Sequence, residues 1–296
     1  MSPWWRKLLA RVRGGRPPRW PWPRHRAATI HSPVPHDETG WTVHRDAALP
    51  LKNLSFKECE PAISDAGAAV GAFKIRLAGA PHVRRDAGNL VQQRYASRGY
   101  QTSATKSSEN VYTFAAYNDG KVAGTVSLRL DSTDGLAADE LYRLEIDAMR
   151  AKDRKICEFT RLAVETSSAS RAVLAGLFHT VYLFAQNVRG FDFVVIEVNP
   201  RHVGYYRRAL GFEILGGERH NFRVNAPSVL MGLSFRKIGD NMRRYAPTAP
   251  RPHVPRSGIT RMGMTNLAAR RSFYIYGFSR VEEAGILARL RRINAG

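Results

Sequence analysis

Between residues 73 and 236 the apolar spacing switches repeatedly between two and about 3.6 residues, which restricts this stretch to a layered sheet-and-helix fold. Phe73–Leu77 reads as a strand, and a helix over about 82–97 ends near Arg98-Gly99-Tyr100. Val111–Tyr117 and Lys121–Asp131 are strand-like runs joined at Asn118-Asp119-Gly120, where Asp-Gly suits the positive φ angles of a tight hairpin. Asp139–Ala151 predicts a helix. Lys155–Glu165 alternates again, with Glu158, Thr160 and Leu162 on one face and Phe159, Arg161 and Ala163 on the other. Ser167–Val188 is the clearest helix, and Phe191–Val198 reads as a strand covered on both faces. A short helix over 201–210 stops at Gly211, and a strand pair over about 212–219 and 229–236 completes the pattern. The order β-α-β-β-α-β-α-β-α-β-β describes an α/β (α+β) domain: a mixed, mainly antiparallel sheet flanked by helices.

The charge lies outside this region. The chain of 296 residues carries a formal net charge of +21, of which residues 1–26 supply +8 and residues 236–296 supply +10. Everything between is nearly neutral at +3. Three regions follow: a basic Trp/Pro/Arg-rich leader over 1–45, expected to be disordered, a folded domain over 46–240, and a basic C-terminal extension over 241–296. The extension carries several prolines and a helix-compatible stretch, Val281–Ile293. In the leader, Trp5, Leu8, Leu9 and Val12 could share a helix face ringed by Arg6, Lys7, Arg11 and Arg13, the pattern of a short helix on an anionic membrane surface. The Pro-rich run from Arg16 onward favours disorder instead. Four of the five Trp lie in residues 1–26, so nucleic-acid binding is the non-enzymatic alternative, with the near-neutral middle against it.

Several classes drop out. No apolar run approaches the roughly 18 residues of a membrane span. Two cysteines, Cys59 and Cys157, cannot make a disulfide scaffold and suit a reducing compartment, so a cytoplasmic protein is expected, with a peripheral contact at the inner membrane face open to the leader. The nine histidines lack metal-ligand spacing, so no metal is expected.

Two segments carry a resemblance. Asn199-Pro-Arg-His-Val-Gly-Tyr-Tyr-Arg-Arg-Ala-Leu-Gly-Phe212 resembles the last core segment of the Gcn5-related N-acyltransferases (GNAT). Cys157-Glu-Phe-Thr-Arg-Leu-Ala-Val164 resembles the Glu-x-Ser/Thr-Arg strand of the acyl-homoserine-lactone synthases. With Asp134-Gly-Leu and Leu141-Tyr142…Glu145-Ile-Asp147, they look like the long-chain N-acyl amino acid synthases of the FeeM type. The resemblance implies a GNAT-like fold for the 46–240 domain and transfer of a long fatty acyl group from acyl carrier protein to an amino acid. No tightly bound cofactor is implied; the co-substrate is an acyl-phosphopantetheine thioester. Enzymatic alternatives are an autoinducer synthase or an exosortase-associated acyltransferase of the same fold. The stretch Thr166-Ser-Ser-Ala-Ser-Arg-Ala172 has no glycine where acetyl-CoA-using relatives cradle a pyrophosphate, which favours a carrier protein over CoA.

Direct transfer needs a neutral amine, donors for the oxyanion and a proton for the leaving thiolate. Glu158 is the candidate base, on the strand that should border the thioester; its alternative is a structural carboxylate paired with an arginine. Arg161 could clamp a substrate carboxylate or neutralise Glu145 or Asp147. Thr160 could orient water or the pantetheine. Tyr206 is the candidate general acid by resemblance, with Tyr205 its rival, although Tyr206 stands one residue further from Gly211 than the common pattern. Asn199, at the pantetheine entry, either binds substrate or caps the 201–210 helix, and Arg201 beside it completes the binding candidates.

Overall fold

The computed structural model describes residues 42–44, 62–63, 69–70, 73–102, 109–165, 170–246, 273–274 and 277–295. Residues 1–41 lie outside it, as does 166–169 of the glycine-free stretch. The elements in chain order are β1 (Thr42–His44), β2 (Ala62–Ile63), β3 (Ala69–Val70), β4 (Phe73–Leu77), α1 (Pro81–Ala96), β5 (Val111–Asn118) and β6 (Lys121–Leu130). There follow α2 (Asp139–Arg150), β7 (Ile156–Val164), α3 (Ser170–Tyr182), β8 (Phe193–Val198), α4 (Pro200–Tyr205), β9 (Glu213–Asn221), β10 (Ala226–Ser234), α5 (Phe235–Tyr245) and α6 (Arg280–Ala295).

The main sheet has eight strands in the order β1-β4-β5-β6-β7-β8-β10-β9. Every pairing is antiparallel except β7 with β8, so the mixed, mainly antiparallel sheet expected from the sequence is present. Asp119 (φ 49°) and Gly120 (φ 72°) make the β5–β6 turn, both in the left-handed region that a two-residue hairpin requires.

Alternation along the strands sorts side chains to two faces. Phe114, Cys157, Phe159, Val194, Ile196, Met231 and Leu233 pack with α3, α5 and α6 into the larger core. Ile156, Val195 and Leu230 face the other way against Tyr142 and Ile146 of α2. Ala115, Tyr117 and Ala163 on that second face meet α1. Thr42–His44, inside the span expected as leader, pairs with β4. Within the expected C-terminal extension, Phe273, Tyr274, Phe278, Ile286 and Leu290 are buried in the larger core.

Two sequence expectations are corrected. The last strand ends at Ser234 rather than 236, because Ser234 caps a helix: its Oγ accepts from Lys237 N at 3.3 Å, and α5 runs on to Tyr245, into the span expected as the C-terminal extension. The alternation expected for 155–165 also fails. Ser127 pairs with Thr160 but Thr125 with Ala163, so β7 holds one residue more than β6 there, and Arg161 sits at φ 52°. This bulge moves Leu162 to the larger core and Ala163 to the α1 face, the reverse of the expected sides.

The loop from β6 to α2 is tied closely. Leu136 N–H donates to Asp139 Oδ2 at 2.7 Å, and Arg150 binds both Asp139 and Asp131 at 2.7–2.8 Å. Gly135 (φ 68°) has room for no side chain, since a Cβ would lie 2.6 Å from Asp139 Oδ2. Gly135→Ala should therefore cost about 1–3 kcal/mol and lower the melting temperature by about 3–8 °C. Gly217→Ala, where a Cβ meets nothing within 4 Å, should leave it nearly unchanged. Calorimetry on the two variants checks both expectations.

Candidate active site

The site begins where two strands part. β7 and β8 pair only through Ile156–Phe193, Cys157–Val194 and Glu158–Val195, although β7 continues to Val164 and β8 to Val198. Beyond Glu158 the strands open a wedge, and the bulge at Arg161 falls on its edge.

Glu158 stands at the apex, only 1% exposed. Its Oε2 accepts from Ala137 N at 2.6 Å and Ala138 N at 3.2 Å, so the loop before α2 closes over it. Burial is the main force on its carboxyl, with Glu197 adding to it. Arg223 and the two amides oppose them, and the pKa comes to about 7. No arginine pairs with it among the described residues, so the ion-paired structural carboxylate weighed from the sequence is not what is seen.

Glu197 is a neighbour that the sequence reading missed. It projects to the same sheet face, where Arg223 from the β9–β10 turn binds it and Asn221 Nδ2 donates to it at 2.6 Å. Arg223 also donates to Ala137 O at 2.8 Å, so one guanidinium links Glu197 to the loop that covers Glu158. A lone acid inside an apolar strand, Phe193-Val-Val-Ile-Glu-Val198, was the available signal. Tyr142 was quoted only as part of a motif. Its hydroxyl donates to Ser228 O at 2.8 Å, and its ring fits against Gly216, where a Cβ would come within 2.6 Å.

Arg161 does not neutralise Glu145 or Asp147: Arg219 binds Glu145 and Arg150 binds Asp147 at 2.7 Å. Its guanidinium is half-buried, and burial disfavours the charge with only the Tyr95 phenol countering it. Tyr95 belongs to α1, so Arg161 and Thr160 both turn toward the helix-covered face that holds Glu158, as successive residues do at a bulge. Among the described residues Arg161 has no carboxylate partner. Thr160 is half-buried opposite Ser127, whose hydroxyl is shared with Thr113 at 2.8 Å.

On the other side of the wedge, Asn199 caps α4. Its Oδ1 accepts from Arg201 N at 3.2 Å, and its amide donates to Pro227 O at 3.3 Å. Arg201 is exposed and donates to the Tyr100 hydroxyl at 2.6 Å. His202 is pulled down to about 4 by burial together with Arg201 and Arg98, which marks a strongly positive region. Tyr206 follows, packed edge-on against Tyr205 and Phe212, its phenol pushed well up by burial. The extra residue before Gly211 is absorbed by a π-helical turn over Tyr206–Leu210: Gly211 N–H reaches back five residues to Tyr206 O at 3.0 Å. The structure therefore gathers Glu158, Thr160 and Arg161 on one strand and Tyr206 and Arg201 on the helix across the wedge. Tyr95, which acts on both Arg161 and Tyr206, lies with them, and Asn199 is occupied as a cap.

Residues 86–234 match the family described as N-acyl amino acid synthase FeeM. The solved structure of FeeM, an N-acyl amino acid synthase from uncultured soil microbes, is 28% identical over 55% of this chain and 90% of that one, with a TM-score of 0.52. A CoA-dependent acyl-homoserine lactone synthase, MesI, is 20% identical over 55% of this chain and 88% of that one, with a TM-score of 0.38. An N-acetyltransferase from Staphylococcus aureus Mu50 is 12% identical over 55% and 98%, with a TM-score of 0.40. No curated protein sequence matches. Since the matched segment spans half of the chain and contains the wedge and its residues, the protein is an acyltransferase belonging to the FeeM family of N-acyl amino acid synthases.

Proposed function

We propose that this enzyme moves a fatty acyl group from acyl carrier protein to the amine of an amino acid, by direct attack on the thioester and without a covalent enzyme intermediate. The observation that carries this reading is the half-buried Arg161, without a carboxylate partner among the described residues, three positions along β7 from the buried Glu158 at the strand wedge. An amino acid bears a carboxylate and an amine, and this pair offers a partner for each. Glu158 takes the proton from the attacking amine, Arg161 holds the carboxylate, and Thr160 lies between them on the strand. Tyr206, kept protonated by burial, returns a proton to the departing thiolate.

The donor arm is proposed to enter across the start of α4. Arg98 and Arg201 crowd together there, and their mutual repulsion would fall on binding one phosphate. The glycine-free Thr166–Ala172 stretch suits a single phosphate better than a diphosphate, which favours the carrier protein. No described helix is long and apolar enough to cross a membrane, and a cytoplasmic protein whose basic leader touches anionic lipid remains part of the proposal.

Three measurements test the reading. Glu158→Gln keeps the shape and the hydrogen bonds but removes the base, so kcat/KM should fall by about 10²–10⁴ at neutral pH. The wild-type rate should rise with pH through about 7, and the variant should lose that limb. Stability separates a base from a strut. The folded-state pKa of Glu158 lies above its ordinary 4.5, so its contribution to stability is present at low pH and lost as pH rises through 7. Glu158→Gln should therefore gain about 3 kcal/mol relative to wild type above pH 7. A variant of normal turnover would remove Glu158 from the chemistry.

Arg161→Lys retains charge but loses the planar fork, and should raise the amino-acid KM about tenfold with kcat nearly unchanged. An unchanged KM would end the clamp role. Acylated carrier protein should outperform the same acyl-CoA, with kcat/KM falling as salt rises, because steering between an acidic carrier and a basic chain is screened over about 8–10 Å. Equal, salt-insensitive use of the free acyl-CoA would exclude the carrier.

A further inference from the structure

The donor's acyl chain needs an apolar space, and the sheet face opposite Glu158 contains one. A cavity of about 20 Å³, room for one water-sized group, lies against Phe159, the residue after Glu158 on β7. Phe212, which packs on Tyr206, lines it too, so the cavity lies behind β7 on the face away from Glu158. Part of its wall belongs to strands and to α3. The rest includes Met242 of α5 with Phe273, Tyr274 and Gly277 of the C-terminal segment. That segment lies outside residues 86–234 and so is an addition of this chain to the family's matched region.

Among the described residues the segment is held at two points: the Tyr274 hydroxyl donates to Leu210 O at 3.1 Å, and the second point is His179. His179, 1% exposed on α3, accepts from Phe278 N–H at Nδ1 (2.9 Å) and bonds Glu283 through Nε2 at 2.7 Å. Since Nδ1 is an acceptor, the proton is on Nε2 and the ring donates to Glu283. Ser279 and Glu282 cap the start of α6 reciprocally, at 2.7 Å from Ser279 N to Glu282 Oε2. Phe278 and α6 are thus fixed to the core. The Phe273 ring is buried by apolar contact alone, edge-on to Phe178 at 6.3 Å between centroids.

We infer that the C-terminal segment is the gauge of acyl-chain length: the end of the acyl chain takes the place that Phe273 now fills, and the segment latched at His179 limits how far it extends. The cavity as it stands is too small for an acyl chain, so a wall side chain must give way, and Phe273, held by apolar contact alone beside the hydrogen-bonded Tyr274, is the one this segment offers. The inference rests on the acyl-transfer reading, and its test is made without turnover.

Full-length wild type, Phe273→Ala, Phe273→Leu and Leu144→Ala are each offered an equimolar mixture of octanoate, dodecanoate, palmitate and stearate. The bound fractions are then read by native mass spectrometry. Leu144, exposed on α2 at the opposite face, is the control. The preference of Phe273→Ala should move to longer chains, by about fourfold for each methylene newly buried, with Phe273→Leu between it and wild type and Leu144→Ala unchanged. Ratios within one protein sample are insensitive to a loss of stability in the variant. The same ranking in all four proteins, or no fatty acid bound to wild type, overturns the inference. Absence of an N-acyl amino acid product would instead count against the acyl-transfer reading and leave the ranking to be judged by itself.

Discussion

The contact on which the site depends is the one between the buried Glu158 carboxylate and the amides of Ala137 and Ala138. A carboxylate taken out of water is costly to ionise, and two backbone donors recover only part of the loss. In return the loop before α2 is fixed over β7 at the point where β7 and β8 stop pairing. The residues that shape this loop are those of the Asp134-Gly-Leu and Leu141-Tyr142 motifs. Gly135 supplies the left-handed turn, Leu136 is held by Asp139, and Tyr142 crosses to Ser228 on β10. A motif that looked like a fingerprint in the sequence is therefore the packing that holds one carboxyl group in a dry place.

The bulge at Arg161 works on the same strand in a different way. By adding one residue to β7 it sends Thr160 and Arg161 to the α1 side and Leu162 to the larger core. A non-glycine residue at φ 52° carries strain, and such strain persists only where the surroundings impose it. Here the gain is a guanidinium turned toward Tyr95 and away from Glu145 and Asp147, which are bound by Arg219 and Arg150.

Element identity was largely legible in the sequence because the periodic segments are long and the turn chemistry is local. Asp119-Gly120 and the left-handed Gly211 sit where their φ preferences require. The failures are where tertiary context decides. Nothing in Leu162 or Ala163 announces a bulge, so both were assigned to the wrong face. The helix beginning at Phe235 was hidden because β10 runs into it without a turn, with Ser234 as the last strand residue and also the cap. For the candidate site, Glu158, Thr160, Arg161, Tyr206 and Arg201 were singled out through resemblance. Glu197, Arg223 and Tyr95 were not, because they come from other strands, a turn and a helix end. Their meeting depends on the register between β8, β9 and β10 and on the packing of α1. The extra residue between Tyr206 and Gly211 is taken up in a π turn, which a reading based on a regular helix does not foresee.

The charges on the two sides of the wedge have a consequence for substrate orientation. Glu158 and Glu197 share the face covered by α1 and α2, and among the described residues Arg223 is the one cation bonded to Glu197, so full ionisation of both acids would leave a net negative charge in a dry place. One proton held near neutrality relieves it, which is the physical meaning of a Glu158 pKa near 7. Arg161 is the opposite case, a positive charge with no acid beside it. An amino acid entering as a zwitterion meets both imbalances at once. On the proposed reading its ammonium would be drawn to the acid pair and its carboxylate to Arg161, and it could not reverse without opposing both fields. On the proposed reading the charge of the approaching ammonium would favour the ionised form of Glu158, so that the group proposed as base would gain its capacity to accept a proton as the amine that must lose one arrives.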